Sequence, residues 1–181
     1  MSAHPFVRRG QRGWAHDEGH ASGVFHTYDR LDVGGPFGAR KVHVFLPRAI
    51  PEPLPVVYLH DGDVVFWRGG VAGKTWDVAG VMDRMAPYLP PMILVAIHPT
   101  DRNAEYTHVD WANGQRSFGR VSEYTDEIAD RLKAFIDAAY PTRSGSRTTA
   151  VIGSSHGGLA SFWMATRRPD QFGFAGCMSS S

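Results

Sequence analysis

Four short apolar runs divide the chain, and each has the length of a β-strand rather than of a buried helix. They cover residues 56–60, 92–97, 147–153 and 174–178. Continuous apolar runs are typical of strands that are covered on both faces of a sheet. Between and after them, apolar positions recur at helical spacing over residues 75–89, 121–139 and 159–168. This alternation predicts an α/β fold with a mostly parallel sheet and helices on both of its faces.

The rest of the chain follows other patterns. Residues 23–33 and 39–46 partly alternate between apolar and polar positions around a Gly-Gly-Pro turn, which predicts an antiparallel hairpin. Residues 1–21 are polar, and we expect them to form a loose lead-in with little structure of its own. Residues 100–118 show no period and are expected to form a surface loop. The pattern therefore predicts one domain over residues 22–181.

The third apolar run leads directly into the strongest local signal in the chain. Residues 153–158 read GSSHGG, which matches the pattern Gly-x-Ser-x-Gly, and a helix-forming segment follows. In this strand–turn–helix context the pattern indicates a nucleophile elbow. We expect Ser155 at the apex of the turn in a strained conformation, since the flanking glycines allow close approach of the backbone. The following helix would add positive potential where an oxyanion forms.

Three blocks of the sequence resemble the putative-esterase family of α/β-hydrolases, from about residue 23 to the end of the chain. This family includes siderophore esterases, S-formylglutathione hydrolases, feruloyl esterases, acetyl-xylan esterases and some acyltransferases. The blocks are VYLHDGD at 57–63 with Trp76-Asp77, RNAEYT at 102–107, and GSSHGGLA at 153–160 with RPDQF at 168–172. The third block is the most specific. The resemblance implies an α/β-hydrolase fold, of which this chain holds the N-terminal part and lacks the C-terminal side.

The resemblance also implies the chemistry of the site. It places the serine nucleophile, which forms an acyl-enzyme with a carboxylic ester, at Ser155. It implies an oxyanion hole of two backbone N–H groups, one from His156 and the other from Asp63 or alternatively Gly62. Such donors stabilise the tetrahedral oxyanion by about 3 kcal/mol each. The expected substrate is a small-molecule ester, and no cofactor is implied.

A serine hydroxyl needs a general base, and the sequence after His156 contains no histidine. In α/β-hydrolases the acid and then the histidine follow the serine along the chain. We therefore expect both beyond residue 181, with on the order of 80–100 residues absent, given the usual size of such a domain. His60 and His98 lie at the ends of predicted strands, and either is an alternative base in a non-standard triad.

Other functions stay open on the sequence alone. A non-catalytic binding module, or an inactive fragment, fits if the chain ends naturally at residue 181. An acyltransferase would use the same serine. A metal site at His60, Asp61 and Asp63 is disfavoured, because alternate residues of a strand point to opposite faces.

Composition adds limits on partners and location. The 181 residues carry a formal net charge of +1 with no long run of one sign, which argues against nucleic acid and anionic membranes as partners. The single cysteine, Cys177, fits a reducing compartment and excludes an internal disulfide framework. The sequence shows neither an apolar leader nor a run of membrane-spanning length, so we expect a cytoplasmic protein. No pattern indicates an oligomeric state.

Overall fold

An eight-stranded sheet forms the centre of the computed structural model, which describes residues 3–70, 73–113 and 116–180. Its strands are β1 (His4–Arg8), β2 (Gln11–His16), β3 (Gly23–Leu31), β4 (Arg40–Pro47), β5 (Val56–Leu59), β6 (Ile93–Ile97), β9 (Thr149–Ser154) and β10 (Phe174–Met178). A separate antiparallel pair consists of β7 (Trp111–Asn113) and β8 (Arg116–Phe118). Across the large sheet the order is β1-β2-β3-β4-β6-β5-β9-β10.

The sheet is mixed, with an antiparallel half and a parallel half. Neighbouring strands pair antiparallel from β1 through β4 to β6, and parallel from β6 through β5 and β9 to β10. The predicted hairpin is confirmed as the pair β3–β4, and the predicted parallel strands are confirmed as β5, β6, β9 and β10 in the parallel half of the sheet. All five residues of β6 are buried, as expected of a strand with helices on both sides.

Helices cover both faces of the sheet, which confirms the predicted layering. The helical segments are α1 (Gly62–Val65), α2 (Val78–Met85), α3 (Arg102–Tyr106), α4 (Val121–Asp126), a π-helical segment (Glu127–Leu132), α5 (Lys133–Ala139), a 3₁₀ turn (Ser146–Thr148) and α6 (His156–Arg167). One apolar core lies between the sheet and the long helix from α4 to α5, together with α6. A second core, which includes Phe45, Val65 and Met82, lies under α1 and α2. No helix in the described residues is both long and apolar enough to cross a bilayer.

The expectation of a loose lead-in over residues 1–21 is wrong, because β1 and β2 extend the sheet by two strands. Strand β2 pairs with β3, and Arg8 on β1 donates a hydrogen bond of 2.7 Å to the carbonyl of Ala139. Both strands are only partly buried, so polar residues occupy many of their positions. The apolar alternation that marks a strand in sequence is therefore weak here.

The expectation of a surface loop over residues 100–118 is also wrong. This segment contains the short helix α3 and the pair β7–β8. Helix α3 buries Ala104, Glu105 and Tyr106, two of which are polar. A reading based on apolar periodicity treats such residues as exposed, so it misses a helix whose buried face makes an ion pair and a hydrogen bond.

Candidate active site

The turn between β9 and α6, residues 153–158, has the geometry of a nucleophile elbow. Ser155 stands at its apex with φ 55° and ψ −127°, a conformation that costs a non-glycine residue about 1–3 kcal/mol. Its backbone N–H donates to the carbonyl of Met178 at 2.9 Å, and its carbonyl accepts from Leu159 at 3.1 Å. The strand before the turn and the helix after it therefore hold Ser155 in this conformation.

Glycines make the elbow possible by close approach. A Cβ atom on Gly153 would overlap the backbone of Gly157. A Cβ atom on Gly157 would lie 3.1 Å from a carboxylate oxygen of Asp61 and 3.2 Å from Cβ of His60. The elbow thus lies directly against the end of the neighbouring strand, β5.

The segment that follows β5, residues 61–63, lies beside the elbow, and we call it the oxyanion segment. The register pairs Leu59 with Ile152, so the next residues of the two strands meet at the same edge of the sheet. Asp61 adopts a left-handed conformation with φ 55° and ψ 49° and leads into α1. Gly62 is pressed against β6, since a Cβ atom there would lie 2.7 Å from the carbonyl carbon of Ile97. The backbone N–H groups of Gly62 and Asp63 belong to the first turn of α1, where helical donors lack intrahelical partners.

Helix α3 holds Asp61 in place from the far side. The carboxylate of Asp61 accepts two hydrogen bonds from Arg102, at 2.6 Å from Nε and 3.0 Å from Nη2. Its backbone N–H donates to the hydroxyl of Tyr106 at 3.1 Å. Asp61 is 7% exposed, so the carboxylate of this bidentate ion pair is largely shielded from solvent, whereas the Arg102 side chain is 38% exposed.

A buried charge cluster anchors α3 in turn. Arg40, on β4, donates to Glu105 at 2.8 Å and to Glu127, in the π-helical segment, at 2.6 Å. Glu105 also accepts the backbone N–H groups of Thr100 and Asp101, at 2.8 and 2.9 Å. Burial raises the pKa of Glu105, and the neighbouring Arg40 partly offsets that rise. The cluster connects three elements that are distant in sequence and fixes the start of α3.

His60 and His98, the two alternative bases, each have a hydrogen-bond partner, His60 in the interior and His98 at a half-buried position. His60 is fully buried, and its Nδ1 lies 3.1 Å from the hydroxyl of Tyr124. Burial lowers the pKa of His60 to about 3, so the imidazole is a weak base at neutral pH. His98 pairs through Nε2 with Nε2 of His43 at 3.0 Å, and burial lowers its pKa as well. A lowered pKa disfavours either imidazole as the general base for Ser155.

His156, the first residue of α6, follows Ser155 directly. Its Nδ1 is buried and has no hydrogen-bond partner among the described residues. Its backbone N–H is one of the first donors of α6, a helix of 12 residues whose N-terminus carries positive potential. The geometry brings Ser155, His156, Gly62 and Asp63 to one edge of the sheet.

A cavity of about 390 Å³ opens beside the oxyanion segment. Its wall consists of Asp61, Asp63, Val64, Gly69, Gly70, Pro99 and Arg102. The Asp63 carboxylate lies near Gly70, since a Cβ atom on that glycine would be 3.1 Å from Oδ2 of Asp63. Among the described residues, no group of three or more His, Cys, Asp or Glu side chains has an arrangement that could hold a metal ion.

Comparison with known proteins gives a family and a relative. The model of the family described as "Putative esterase" matches residues 37–181. The chain is 26% identical over 151 residues to the uncharacterized protein YbbA of Bacillus subtilis, and this match covers 80% of the chain and 58% of that relative.

Two solved structures show the same fold. An IroE-like serine hydrolase from Shewanella oneidensis matches with a TM-score of 0.70 and 23% identity, over 84% of this chain and 49% of that one. A ferulic acid esterase from the fungus Anaeromyces mucronatus matches with a TM-score of 0.66 and 19% identity, over 92% of this chain and 62% of that one. The chain thus spans less than two thirds of the length of each of these proteins.

Proposed function

We propose that this chain, which belongs to the putative esterase family, carries the nucleophile of a serine carboxylic-ester hydrolase. The observation that carries the proposal is the conformation of Ser155, a non-glycine residue with φ 55° at a glycine-lined turn between β9 and α6. Strain of this kind persists only where the surrounding structure enforces it. Here it places a hydroxyl-bearing residue at the sheet edge where α/β proteins bind their ligands.

In the proposed reaction, the hydroxyl oxygen of Ser155 attacks the ester carbonyl carbon while a base accepts its proton. The C–O bond to the alcohol then breaks, and the alcohol leaves with a proton, so that the acyl group remains on Ser155. Water attacks this acyl-enzyme in the same way and releases the carboxylic acid and the free serine. The backbone N–H groups of His156 and of Asp63, or alternatively Gly62, stabilise the oxyanion of both tetrahedral intermediates.

The base and its acid partner are proposed to come from the part of the protein beyond residue 181. Two observations support this. The matched proteins are longer than this chain, and α/β-hydrolases supply the acid and histidine after the serine. Within the chain, His60 has a pKa lowered to about 3 and His98 is bonded to His43, and both observations favour a base from outside residues 1–181.

The substrate is proposed to be a small-molecule ester with part of its structure in the cavity beside Asp63. That cavity is large enough for a small acyl or alcohol group. One structural neighbour is a ferulic acid esterase, so an aromatic acyl ester is the first substrate to test. Two aromatic side chains of this region are held by contacts within the protein. Tyr106 is buried, and Trp67 donates to Glu18 at 2.6 Å.

The test compares hydrolysis of p-nitrophenyl butyrate and methyl ferulate by the complete protein and by two variants. We expect Ser155→Ala to lose at least about 1,000-fold in kcat, since the acyl-enzyme cannot form. The matched control, Ser154→Ala, changes the adjacent serine and should retain most of the activity. A fluorophosphonate probe should label Ser155 in the wild type and in Ser154→Ala, and it should not label Ser155→Ala. If Ser155→Ala keeps its activity, the proposal is wrong. If the wild type is neither active nor labelled, the proposal of a hydrolase gives way to that of a non-catalytic binding module.

A further inference from the structure

A hydrogen-bonded chain of three histidines runs from β2 through β3 and β4 to the end of β6, behind the oxyanion segment. Nε2 of His98 lies 3.0 Å from Nε2 of His43, and Nδ1 of His43 lies 2.8 Å from the hydroxyl of Thr27. That hydroxyl lies 3.2 Å from Nε2 of His16, whose Nδ1 is 3.0 Å from a carboxylate oxygen of Glu18. We call these five residues the histidine chain. His16, Thr27 and His43 are buried.

The direction of every proton in the histidine chain follows from its carboxylate end. An ionised Glu18 only accepts, so Nδ1 of His16 carries a proton and donates it. Burial lowers the pKa of His16, so the ring is neutral near pH 7 and its Nε2 accepts from the Thr27 hydroxyl. A threonine hydroxyl has one proton to donate, so at its other contact it accepts.

The same reasoning continues to the far end. Since the Thr27 hydroxyl accepts there, Nδ1 of His43 is its donor. Burial lowers the pKa of His43 to about 3, so this ring is neutral and its Nε2 accepts. The proton between the two facing Nε2 atoms therefore belongs to His98. With its pKa also lowered by burial, His98 is a neutral Nε2–H tautomer whose ring is oriented by His43.

The ring of His98 packs directly on the oxyanion segment. A Cβ atom on Gly62 would lie 2.8 Å from both Cδ2 and the backbone nitrogen of His98. The charge of Asp63 also acts on His98 and favours its protonated form. The backbone of His98 is fixed independently, since its N–H donates to Lys41 at 3.1 Å and its carbonyl accepts from Arg40 at 3.3 Å. With the backbone fixed, the His98 imidazole can change its orientation only by rotating about its side-chain bonds. The hydrogen bond to His43 restricts that rotation.

We propose that His98 is a positioning residue for the oxyanion segment, held in one tautomer and one ring orientation by the histidine chain that begins at Glu18. The ring, together with the backbone of Ile97 and His98, forms the back wall against which Gly62 rests, and Gly62 fixes where the N–H of Asp63 points. The catalytic part of this inference rests on the proposed ester hydrolysis. The structural part, a fixed tautomer and an ordered segment, is independent of any activity.

Two substitutions at His43 separate its hydrogen bond to His98 from its hydrogen bond to Thr27. In His43→Gln the side-chain amide reaches about as far as Nε2, so it can still bond to His98. In His43→Asn the amide reaches only as far as Nδ1, so it can bond to Thr27 but not to His98. Both variants remove the same imidazole from the same buried site, and their melting temperatures report the shared structural cost.

The experiment uses the complete protein and three readouts. We expect ¹⁵N spectra of the wild type to show His98 as the Nε2–H tautomer. Backbone ¹⁵N relaxation should show Gly62 and Asp63 to be rigid in the wild type and in His43→Gln, and mobile in His43→Asn. For hydrolysis of p-nitrophenyl butyrate, His43→Asn should lose about tenfold in kcat with KM within twofold, and His43→Gln should lose less than threefold.

Two outcomes would overturn the inference. One is an Nδ1–H tautomer of His98 in the wild type. The other is equal backbone order of Gly62 and Asp63 in the two His43 variants. Neither outcome depends on catalysis, so the structural part of the inference can be decided even if the protein hydrolyses no ester. Conversely, loss of activity in Ser155→Ala together with an Nδ1–H tautomer of His98 would leave the proposed function standing and this inference refuted.

Discussion

The elbow and the oxyanion segment face each other at one edge of the sheet, yet they are held in different ways. Each contains a non-glycine residue with φ 55°, Ser155 in the elbow and Asp61 in the segment. Around Ser155 the restraint is steric and mostly local, because Gly153 and Gly157 allow a turn that larger residues would block. Around Asp61 the restraint is polar and remote, because its partners lie 41 and 45 residues further along the chain, at Arg102 and Tyr106.

This difference explains which half of the site can be predicted from sequence. A local steric turn leaves a short signature, and the glycine pattern of residues 153–158, together with the apolar run before it and the helix-forming segment after it, is sufficient to predict the elbow. A remote polar restraint leaves no signature in any one stretch. The roles of Glu105 and Glu127 become visible only when the fold brings both to Arg40.

The largest effect is expected from a substitution that disrupts the elbow at the close backbone contact between Gly153 and Gly157. In Gly153→Ala the new methyl group would overlap the Gly157 backbone, and the turn must open. We expect a loss of about 3 kcal/mol in the free energy of unfolding, as for an overpacked core, with loss of most of the hydrolytic activity. Urea denaturation of the complete protein measures the first, and ester hydrolysis the second.

Gly145→Ala is the matched control for this substitution. Gly145 has φ −70° and ψ 150°, and a Cβ atom there would meet nothing within 4 Å. Alanine should therefore raise the stability by about 0.5 kcal/mol, since it restricts the unfolded chain without strain. Equal costs at the two positions would refute the steric account of the elbow.

The second-largest effect is expected from a substitution that removes the ion pair restraining the oxyanion segment and leaves the elbow unchanged. In Arg102→Met the Asp61 carboxylate, 7% exposed in the wild type, loses its ion pair. We expect a cost of about 2 kcal/mol for a poorly satisfied buried group. Because the donors of the segment lose their support, kcat should fall about tenfold or more while KM changes little.

Arg120→Met is the control for the loss of a bidentate arginine. Arg120 makes the same kind of pair with Glu123, at 3.0 and 2.5 Å, but both side chains are exposed. Solvent screens that pair, so its removal should change stability by less than about 0.5 kcal/mol and leave kcat unchanged. A kcat that falls equally in both variants would argue against a specific role of α3.

Much of the fold was predictable, and the errors lie where apolar periodicity is weak. The parallel strands, the β3–β4 hairpin and the long helix from α4 to α5 all carry apolar residues at the spacing of their element. The errors are β1–β2, whose strands are only partly buried, and α3, whose buried polar groups are paired. Apolar periodicity records burial of carbon, but it does not record which buried charges find a partner. The histidine chain was missed for the same reason.

His60 lies between the elbow and the oxyanion segment, and it should make the stability of the protein depend on pH in the acid range. It packs under Gly157 and against the ring of Tyr106. Its pKa is about 3 in the folded protein, against an ordinary value of 6.5, so between those limits the unfolded state binds more protons. Stability therefore falls as pH falls, with a contribution from His60 of about 1.4 kcal/mol per pH unit well below 6.5.

His60→Asn tests this contribution, since asparagine retains a polar group for Tyr124 but does not titrate. Urea denaturation of both proteins between pH 6 and pH 4.5 gives two slopes of unfolding free energy against pH. The slope of the variant should be smaller by about 1.4 kcal/mol per pH unit. The difference between slopes isolates His60 from His43 and the carboxylates, which titrate in both proteins. Identical slopes would contradict a neutral, buried imidazole beneath the elbow.

The smallest effect measures the strain at Ser155 itself. Ser155→Ala and Ser155→Gly both remove the hydroxyl, so both should abolish activity, but only glycine adopts φ 55° without strain. Glycine relieves about 1–3 kcal/mol of strain, but its greater flexibility in the unfolded state offsets part of this gain. We therefore expect the Gly variant to be about 1 kcal/mol more stable than the Ala variant. At Ser161, inside α6, the same pair should show the reverse, with glycine about 1 kcal/mol less stable. Opposite signs at two serines six residues apart would show that the elbow holds its nucleophile against a local conformational preference. The same sign at both would mean that the turn imposes no such strain.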